Sequence, residues 1–87
     1  MEYRRLGRTG KQVSILGVGG GYVMLRDLAD ATAIYQRAYE LGVNYFDGRY
    51  GASSSMQRPV IAQKREAFVV GTKTASSTRE GALKRID

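Results

Sequence analysis

Three side chains that together could move a proton occur in two short stretches of this sequence. Asp47 ends a strand-like run at residues 43–47, Tyr50 follows within a short loop, and Lys73 follows a second apolar run at residues 67–72. Short apolar runs rich in β-branched and aromatic residues are typical of buried strands. An acid, a phenol and an amine therefore stand where two strands end. The carboxyl ends of parallel strands are where α/β proteins collect their functional groups.

These three residue types suit acid–base chemistry. A tyrosine is a weak acid at neutral pH because its unperturbed pKa is about 10, and a nearby ammonium group lowers that pKa. A carboxylate beside the lysine keeps the lysine charged and oriented. Neighbouring strands lie about 5 Å apart, so the ends of adjacent strands can bring Asp47, Tyr50 and Lys73 together. Spacing alone leaves another interpretation open, in which they are solvated polar residues at strand ends.

The elements that would position these groups alternate along the chain. Residues 1–15 predict a β-hairpin, with strands at 3–6 and 12–15 around a loop that contains two glycines. Residues 15–19 predict a short buried strand whose glycines leave room for a ligand or another backbone. Strands are also predicted at 43–47 and 67–72.

Helices are predicted between these strands. The clearest covers residues 29–41, with Asp27 or Asp30 capping its start and Gly42 at its end. Its apolar residues recur at helical spacing on one face: Ala31, Ile34, Tyr35, Ala38 and Leu41. A weaker helix is predicted over 53–63, because Pro59 would break its interior or mark a late start. Ser77 or Thr78 can cap a last helix from about 79 to 86.

Residues 16–87 thus repeat strand and helix three times. This order predicts an α/β fold with a parallel sheet and right-handed crossovers, in one continuous segment. The 87 residues suffice for one small domain.

Composition excludes several functions. The chain has no cysteine and no histidine, which excludes disulfides, thiolate metal sites and a histidine general base. No apolar run approaches the roughly 20 residues of a membrane span, so we expect no membrane association. The absence of targeting features predicts a cytoplasmic location. The net charge is +6, but the basic residues are spread along the chain, which makes nucleic-acid binding a weak hypothesis.

Two glycine- and hydroxyl-rich stretches allow other interpretations. Residues 17–21 could bind a dinucleotide, but Tyr22 stands where the third glycine of that motif belongs, and the predicted helix starts several residues later. Residues 72–78 could hold a phosphate at a helix start, although a helix cap explains the same hydroxyls.

The sequence resembles the aldo-keto reductases from residue 3 to residue 87. The motifs that carry the resemblance are Tyr-Arg-Arg-Leu-Gly-Arg-Thr-Gly at 3–10, Gly-Val-Gly at 17–19, Gly-Val-Asn-Tyr-Phe-Asp at 42–47, Tyr-Gly at 50–51 and Val-Val-Gly-Thr-Lys-Thr at 69–74. That family forms a (β/α)8 TIM barrel with a hairpin at the bottom, and reduces aldehydes and ketones with NADPH. The resemblance therefore implies the hairpin and first three βα units of such a barrel.

The resemblance also implies roles for individual residues. Tyr50 would give a proton to the carbonyl oxygen of a small carbonyl substrate, Lys73 would lower the pKa of Tyr50, and Asp47 would hold Lys73. Asp47 and Gly19 would lie beside the nicotinamide. The sequence departs from the family in its short link between Asp47 and Tyr50, and in lacking the family's active-site histidine and the later cofactor-binding loops.

These departures lead to expectations about the 87-residue chain by itself. We expect it to bind no NADPH and to be inactive unless complemented. A three-stranded sheet with helices on one side would leave its other face bare, and residues such as Val43, Tyr45 and Val69 would face water on one side or the other, so we expect a homo-oligomer. The alternative function is a non-enzymatic assembly or binding module that reuses part of a barrel.

Overall fold

The first part of the fold is the expected hairpin. The structure is a computed structural model that describes residues 1–21, 23, 26–48 and 52–86, without the side chains of residues 52–54 and 86. Strands β1 (Tyr3–Arg5) and β2 (Gln12–Ser14) pair antiparallel, and a short 3-10 helix, Gly7–Thr9, lies between them. Gly7 and Gly10 have φ values of 51° and 74°, which favour glycine, so the two glycines shape this loop as predicted.

A three-stranded parallel sheet follows. Its strands are β3 (Gly17–Gly19), β4 (Tyr45–Asp47) and β5 (Val69–Gly71), and β4 lies in the centre. Helix α1 (Leu28–Glu40) connects β3 to β4, α2 (Ala52–Ile61) connects β4 to β5, and α3 (Arg79–Ile86) follows β5. The predicted order of strands and helices is confirmed, and the fold is a small α/β structure.

Local signals at both ends of α1 act as the sequence predicts. The side chain of Asp27 caps the start, because its Oδ1 accepts a hydrogen bond of 2.8 Å from the amide of Asp30. At the end, Gly42 has a φ of 94°, its amide donates to the carbonyl of Tyr39, and the amide of Val43 donates to the carbonyl of Ala38. This Schellman motif satisfies the last carbonyls and turns the chain toward β4.

The hydrophobic core lies between the sheet and the first two helices. Phe46, in the central strand, is fully buried, and its ring lies 5.5 Å from that of Tyr35 and 4.9 Å from that of Phe68. Tyr39 extends this cluster, with its ring 4.8 Å from Phe68. The remaining buried core residues are Ala31, Val43 and Val60. Val43, which was expected to face water, therefore belongs to the core.

The face of α1 that packs on the sheet differs from the predicted one. Ile34 and Leu41 are 39% and 56% exposed, whereas Tyr39 packs against the core. The buried arc centres on Tyr35, and Ile34 lies one residue, or about 100°, around the helix from it. The predicted apolar face of α1 is therefore confirmed at Ala31, Tyr35 and Ala38, and it is wrong at Ile34 and Leu41.

The prediction for α2 was wrong at its proline. Helix α2 continues through Pro59, although a proline supplies no amide for the carbonyl of Ser55. Both residues are exposed, so solvent can satisfy this carbonyl and the helix need not end there.

The predicted buried strand at residues 15–19 was also partly wrong. Only Gly17–Gly19 forms β3, and Ile15 and Leu16 before it are 50% and 61% exposed. The sheet buries only the face toward the helices, so an apolar run beside it is not automatically enclosed.

Asn44 fastens the hairpin to the sheet. Its Oδ1 accepts from the amide of Ser14 at 2.8 Å, its Nδ2 donates to the carbonyl of Gln12 at 2.9 Å, and its own amide donates to the Oγ of Ser14 at 3.1 Å. The hydroxyl of Tyr3 adds a bond of 2.7 Å to the carbonyl of Gly42. All of these bonds lie before β4, so the hairpin covers the amino ends of the strands.

We predict that Asn44→Ala destabilises the fold by about 1–3 kcal/mol, because it leaves the amide of Ser14 and the carbonyl of Gln12 without their partner. Urea unfolding followed by circular dichroism measures this loss. Glu66→Ala, at an exposed position, is the control and should change stability by less than about 0.5 kcal/mol. Equal stability of the two variants would show that the hydrogen bonds of Asn44 do not stabilise the contact between the hairpin and the sheet.

Candidate functional site

Asp47 and Lys73 meet at the carboxyl edge of the sheet. The Nζ of Lys73 donates to the Oδ1 of Asp47 at 2.6 Å and to the carbonyl of Gly48 at 2.9 Å. Asp47 is the last residue of β4, and Lys73 lies two residues after the end of β5. The lysine thus reaches from one strand end to the next, and two acceptors fix its ammonium group.

The backbone around Asp47 is held from two sides. Asp47 is the β-ladder partner of Gly71, and the amide of Gly48 donates to the carbonyl of Gly71 at 2.9 Å, which extends the pairing past the strand. Behind the sheet, Gln57 of α2 is 1% exposed, and its Nε2 lies 3.4 Å from the carbonyl oxygen of Asp47. The position of the carboxylate is therefore set by the sheet and by α2.

The alternation of β4 decides which side chains accompany Asp47. Successive residues of a strand point to opposite faces, so Phe46 faces the helices while Tyr45 and Asp47 share the open face. The sequence analysis did not select Tyr45 as a site residue. The signal that could have found it is its position two residues before Asp47 in a strand.

Two glycines make room for Tyr45. A Cβ atom on Gly17 would lie 2.7 Å from the Cδ1 of Tyr45, and a Cβ on Gly71 would lie 3.1 Å from its hydroxyl and 2.9 Å from the Oδ1 of Asp47. All three separations are shorter than ordinary van der Waals contacts. The sequence analysis expected the glycines of the first strand to leave room for a ligand or another backbone, and at Gly17 the close neighbour is instead a side chain, the ring of Tyr45.

A cavity of about 560 Å³ opens between the hairpin and this face of the sheet. Its lining is mainly apolar, and among the described residues it includes no lysine or arginine. The lining residues are Leu6, Val13, Ser14, Ile15, Gly17, Val18, Gly19, Tyr45 and Asp47. Cavities of this size accommodate small organic ligands. Asp47 thus belongs both to the ion pair and to the wall of a ligand-sized space.

Gly19 lies beside Asp47 but is not forced to be glycine by crowding. It is the ladder partner of Asp47, and its carbonyl accepts a hydrogen bond of 3.2 Å from the hydroxyl of Tyr35. A Cβ at Gly19 would meet no atom within 4 Å. The missing side chain leaves open space next to the carboxylate.

Tyr50, the third predicted site residue, lies outside the described residues. Of the three candidate side chains, the structure therefore places Asp47 and Lys73. Within the described ranges no group of three or more potential metal-binding histidine, cysteine, aspartate or glutamate side chains occurs. No helix in the described part of the chain is both long and apolar enough to cross a bilayer.

The sequence is similar to part of an oxidoreductase. Over 80 aligned residues it is 35% identical to pyridoxal 4-dehydrogenase of Microbacterium luteolum, and the alignment covers 83% of this chain and 23% of that protein. The chain thus spans about a quarter of the length of this curated relative. No protein-family model matches the sequence. The similarity supports a relationship to a segment of a dehydrogenase.

The Asp47–Lys73 pair is open to solvent. The side chains are 43% and 48% exposed, and pairs this accessible contribute about 0–1 kcal/mol to stability. Its short distance therefore reflects the placement of the two strand ends more than a strong stabilising force.

We predict that Lys73→Met lowers the free energy of unfolding by less than about 1 kcal/mol, since the pair it breaks is screened by water. Urea unfolding at low and at high salt measures the effect. Arg37→Met is a matched control, because it breaks another exposed ion pair, with Glu40 at 3.3 Å. A loss of several kcal/mol in Lys73→Met alone would show that the pair is structural.

Proposed function

We propose that this chain forms the hairpin and the first three βα units of a (β/α)8 barrel in an NADPH-dependent carbonyl reductase of the aldo-keto reductase type. The observation that carries this proposal is the contact between Lys73 and Asp47 across the ends of two adjacent parallel strands. The similarity to a segment of a dehydrogenase supports it independently.

In this proposal one of the three side chains transfers a proton, and the other two support the transfer. Tyr50 gives its hydroxyl proton to the carbonyl oxygen of the substrate, and the ammonium of Lys73 stabilises the phenolate that remains. Asp47 holds Lys73 in position. Three residues of chain span at most about 11 Å, so Tyr50 is tethered within reach of Asp47 despite the short link. When bound, NADPH would supply the hydride that the carbonyl carbon accepts.

The described residues fit one end of that cofactor. The space over Gly19 and beside Asp47 suits a flat nicotinamide ring, because Gly19 has no side chain to cover it. The described cavity lining offers no lysine or arginine to the phosphates. Nicotinamide cofactors gain much of their affinity from the non-reacting end. We therefore propose that further chain, in the same polypeptide or supplied in trans, completes the cofactor site.

The first experiment is a titration of the 87-residue chain with NADPH, followed by cofactor fluorescence. We expect no saturable binding, because the phosphates find no basic partner in the described cavity. Saturable binding would contradict the proposal that further chain is needed to complete the cofactor site.

The second experiment completes the site. Residues 1–87 would replace the matched segment of the Microbacterium luteolum pyridoxal 4-dehydrogenase, and turnover of pyridoxal would be followed through the absorbance of the reduced nicotinamide cofactor. We expect a folded, active chimera in which Tyr50→Phe or Lys73→Met lowers the turnover rate by about 100-fold or more. Arg37→Met, far from the site, is the control. A folded chimera that is inactive, or one that tolerates Lys73→Met, would contradict the proposed function.

A non-enzymatic, homo-oligomeric module is the second candidate function. It is favoured by Leu6 and Ile15, exposed apolar residues that line the cavity at the open sheet face, and by Leu16, which is exposed just before the outer strand β3. Strands β3 and β5 are the outer ones among the described strands of this sheet. Outer strands pair readily with strands of another chain, and exposed apolar groups favour association.

We expect sedimentation velocity of the 87-residue chain to show a homo-oligomer. Leu16→Glu should shift it toward the monomer, because a carboxylate would have to be buried in the contact. Leu28→Glu is the control, since Leu28 is similarly exposed, at 57%, but belongs to α1. A single monomeric species for the unmodified chain would exclude this candidate.

A further inference from the structure

Asp47 is followed directly by a glycine, and this pair of residues has a chemistry that the proposed function does not use. It is the one aspartate–glycine sequence in the chain. The amide nitrogen that follows an aspartate can attack the side-chain carboxyl carbon and close a five-membered succinimide ring. Glycine favours this attack, because it has no side chain to hinder the nitrogen and leaves the backbone free to rotate. Asp47 is therefore the aspartate of this chain that can rearrange most readily to isoaspartate.

The rearrangement needs no reactant other than water. A bond forms between the nitrogen of Gly48 and the Cγ of Asp47, and the bond from Cγ to one carboxyl oxygen breaks. That oxygen leaves as water, with the amide proton and the proton of the carboxyl group. Water then opens the ring. Attack at Cγ restores aspartate, whereas attack at the original peptide carbonyl carbon leaves the main chain running through Cγ, which is isoaspartate.

The sheet opposes ring closure in the folded chain. Asp47 is paired with Gly19 and Gly71 in extended backbone, and the ring requires its backbone to rotate out of that conformation. Gly48 is buried, and its amide donates to the carbonyl of Gly71 at 2.9 Å. The attacking nitrogen must lose this partner before it can bond to Cγ. Closure therefore requires a local opening between the ends of β4 and β5.

Lys73 opposes ring closure at two atoms of the reacting segment. Its Nζ contacts the Oδ1 of Asp47 at 2.6 Å and the carbonyl oxygen of Gly48 at 2.9 Å. One ammonium group thus holds the carboxylate that must turn and the peptide group that follows the attacking nitrogen. Because Lys73 lies just after β5, an opening at the end of β5 releases the backbone pairing and the ion pair together.

Two other aspartates provide a comparison within the same chain. Asp27 and Asp30 are followed by Leu28 and Ala31, whose side chains hinder the attacking nitrogen. Asp27 caps α1 with its carboxylate, and Asp30 lies in the first turn of that helix. Neither has the glycine neighbour of Asp47, so both are internal controls for its reactivity.

We propose that Asp47 is a modification site: it converts to isoaspartate when its contact with Lys73 opens, and Lys73 suppresses the reaction while the contact is closed. The product has one more carbon atom in the main chain and carries its free carboxylate directly on Cα, so the ion pair with Lys73 is lost. The partner that fits such a product is an enzyme that methylates isoaspartyl carboxylates. The proposal needs only described residues and does not rest on the proposed function.

Ageing of the purified 87-residue chain at neutral pH tests the proposal. Isoaspartate is measured as methyl groups transferred from labelled S-adenosylmethionine by an isoaspartyl methyltransferase, and fragmentation mass spectrometry of peptides locates it. In guanidinium chloride we expect it to form faster than in the folded chain, and at Asp47 ahead of Asp27 and Asp30. Asp47→Glu keeps the carboxylate but would need a six-membered ring, so it should abolish the signal at this position.

Lys73→Met tests the suppression in the folded chain. It should raise the rate about 2- to 5-fold, the increase in the open form that loss of an exposed ion pair can cause. Arg37→Met, which breaks another exposed pair, should leave the rate unchanged. Asn44→Ala loosens the hairpin without touching the pair, so it should raise the rate less than Lys73→Met does.

Three results would overturn the proposal. Equal rates for Lys73→Met and the unmodified folded chain would show that the lysine does not suppress the reaction. A larger effect of Asn44→Ala than of Lys73→Met would show that the reaction proceeds from the unfolded chain and not from a local opening. Isoaspartate spread evenly over Asp27, Asp30 and Asp47 in guanidinium chloride would show that Asp47 is not a distinct site.

Discussion

The burial of Phe46 is the constraint on which the rest of this structure depends. It is the middle residue of the central strand, it is fully buried against α1 and α2, and two other aromatic rings pack on it. Because side chains alternate along a strand, its burial forces Tyr45 and Asp47 onto the opposite face. A shift of one residue in register would bury the carboxylate and expose the phenylalanine, so the core also selects the register that presents the site.

The two faces of the sheet contribute very different amounts to the stability of the fold. Burying a phenylalanine contributes about 1.5–3 kcal/mol, and the core contains several residues of this kind, whereas the solvent-accessible Asp47–Lys73 pair contributes at most about 1 kcal/mol. The core and the ladder between β4 and β5 therefore position the ion pair, which adds little to folding. At the other end of the strands, Asn44 and Tyr3 attach the hairpin, so the carboxyl edge is left open for ligands.

Much of this arrangement could be predicted because it rests on local rules. The cap at Asp27, the left-handed Gly42 and the alternation of strands and helices are each written in a few neighbouring residues. The meeting of Asp47 and Lys73 also follows, once the two strands are taken as adjacent and parallel. The glycines of the first strand could be predicted to leave room for a close neighbour, but the sequence did not identify that neighbour as the ring of Tyr45.

The features that sequence analysis missed depend on tertiary neighbours. The bonds of Asn44 connect residues about 30 positions apart, which no local pattern encodes. The exposure of Ile15 and Leu16 follows from a sheet that buries only one face, and α2 tolerates Pro59 because that side of the helix is in solvent. Tyr45 has a strand-like neighbourhood in sequence, and only the positions of Gly17 and Gly71 reveal how its ring lies.

The open face also governs how strongly the site can act. With 43% and 48% of their side chains exposed, Asp47 and Lys73 interact through a medium close to water, where a charge pair at short range has little influence on a neighbouring phenol. The same geometry becomes far more effective when water is excluded, because electrostatic stabilisation grows as the surrounding dielectric constant falls. Further barrel strands or a second copy that covered the cavity would therefore strengthen the attraction between the two charges, against the cost of removing them from water. The fold provides the positions of the groups, and their chemical strength depends on what closes over them.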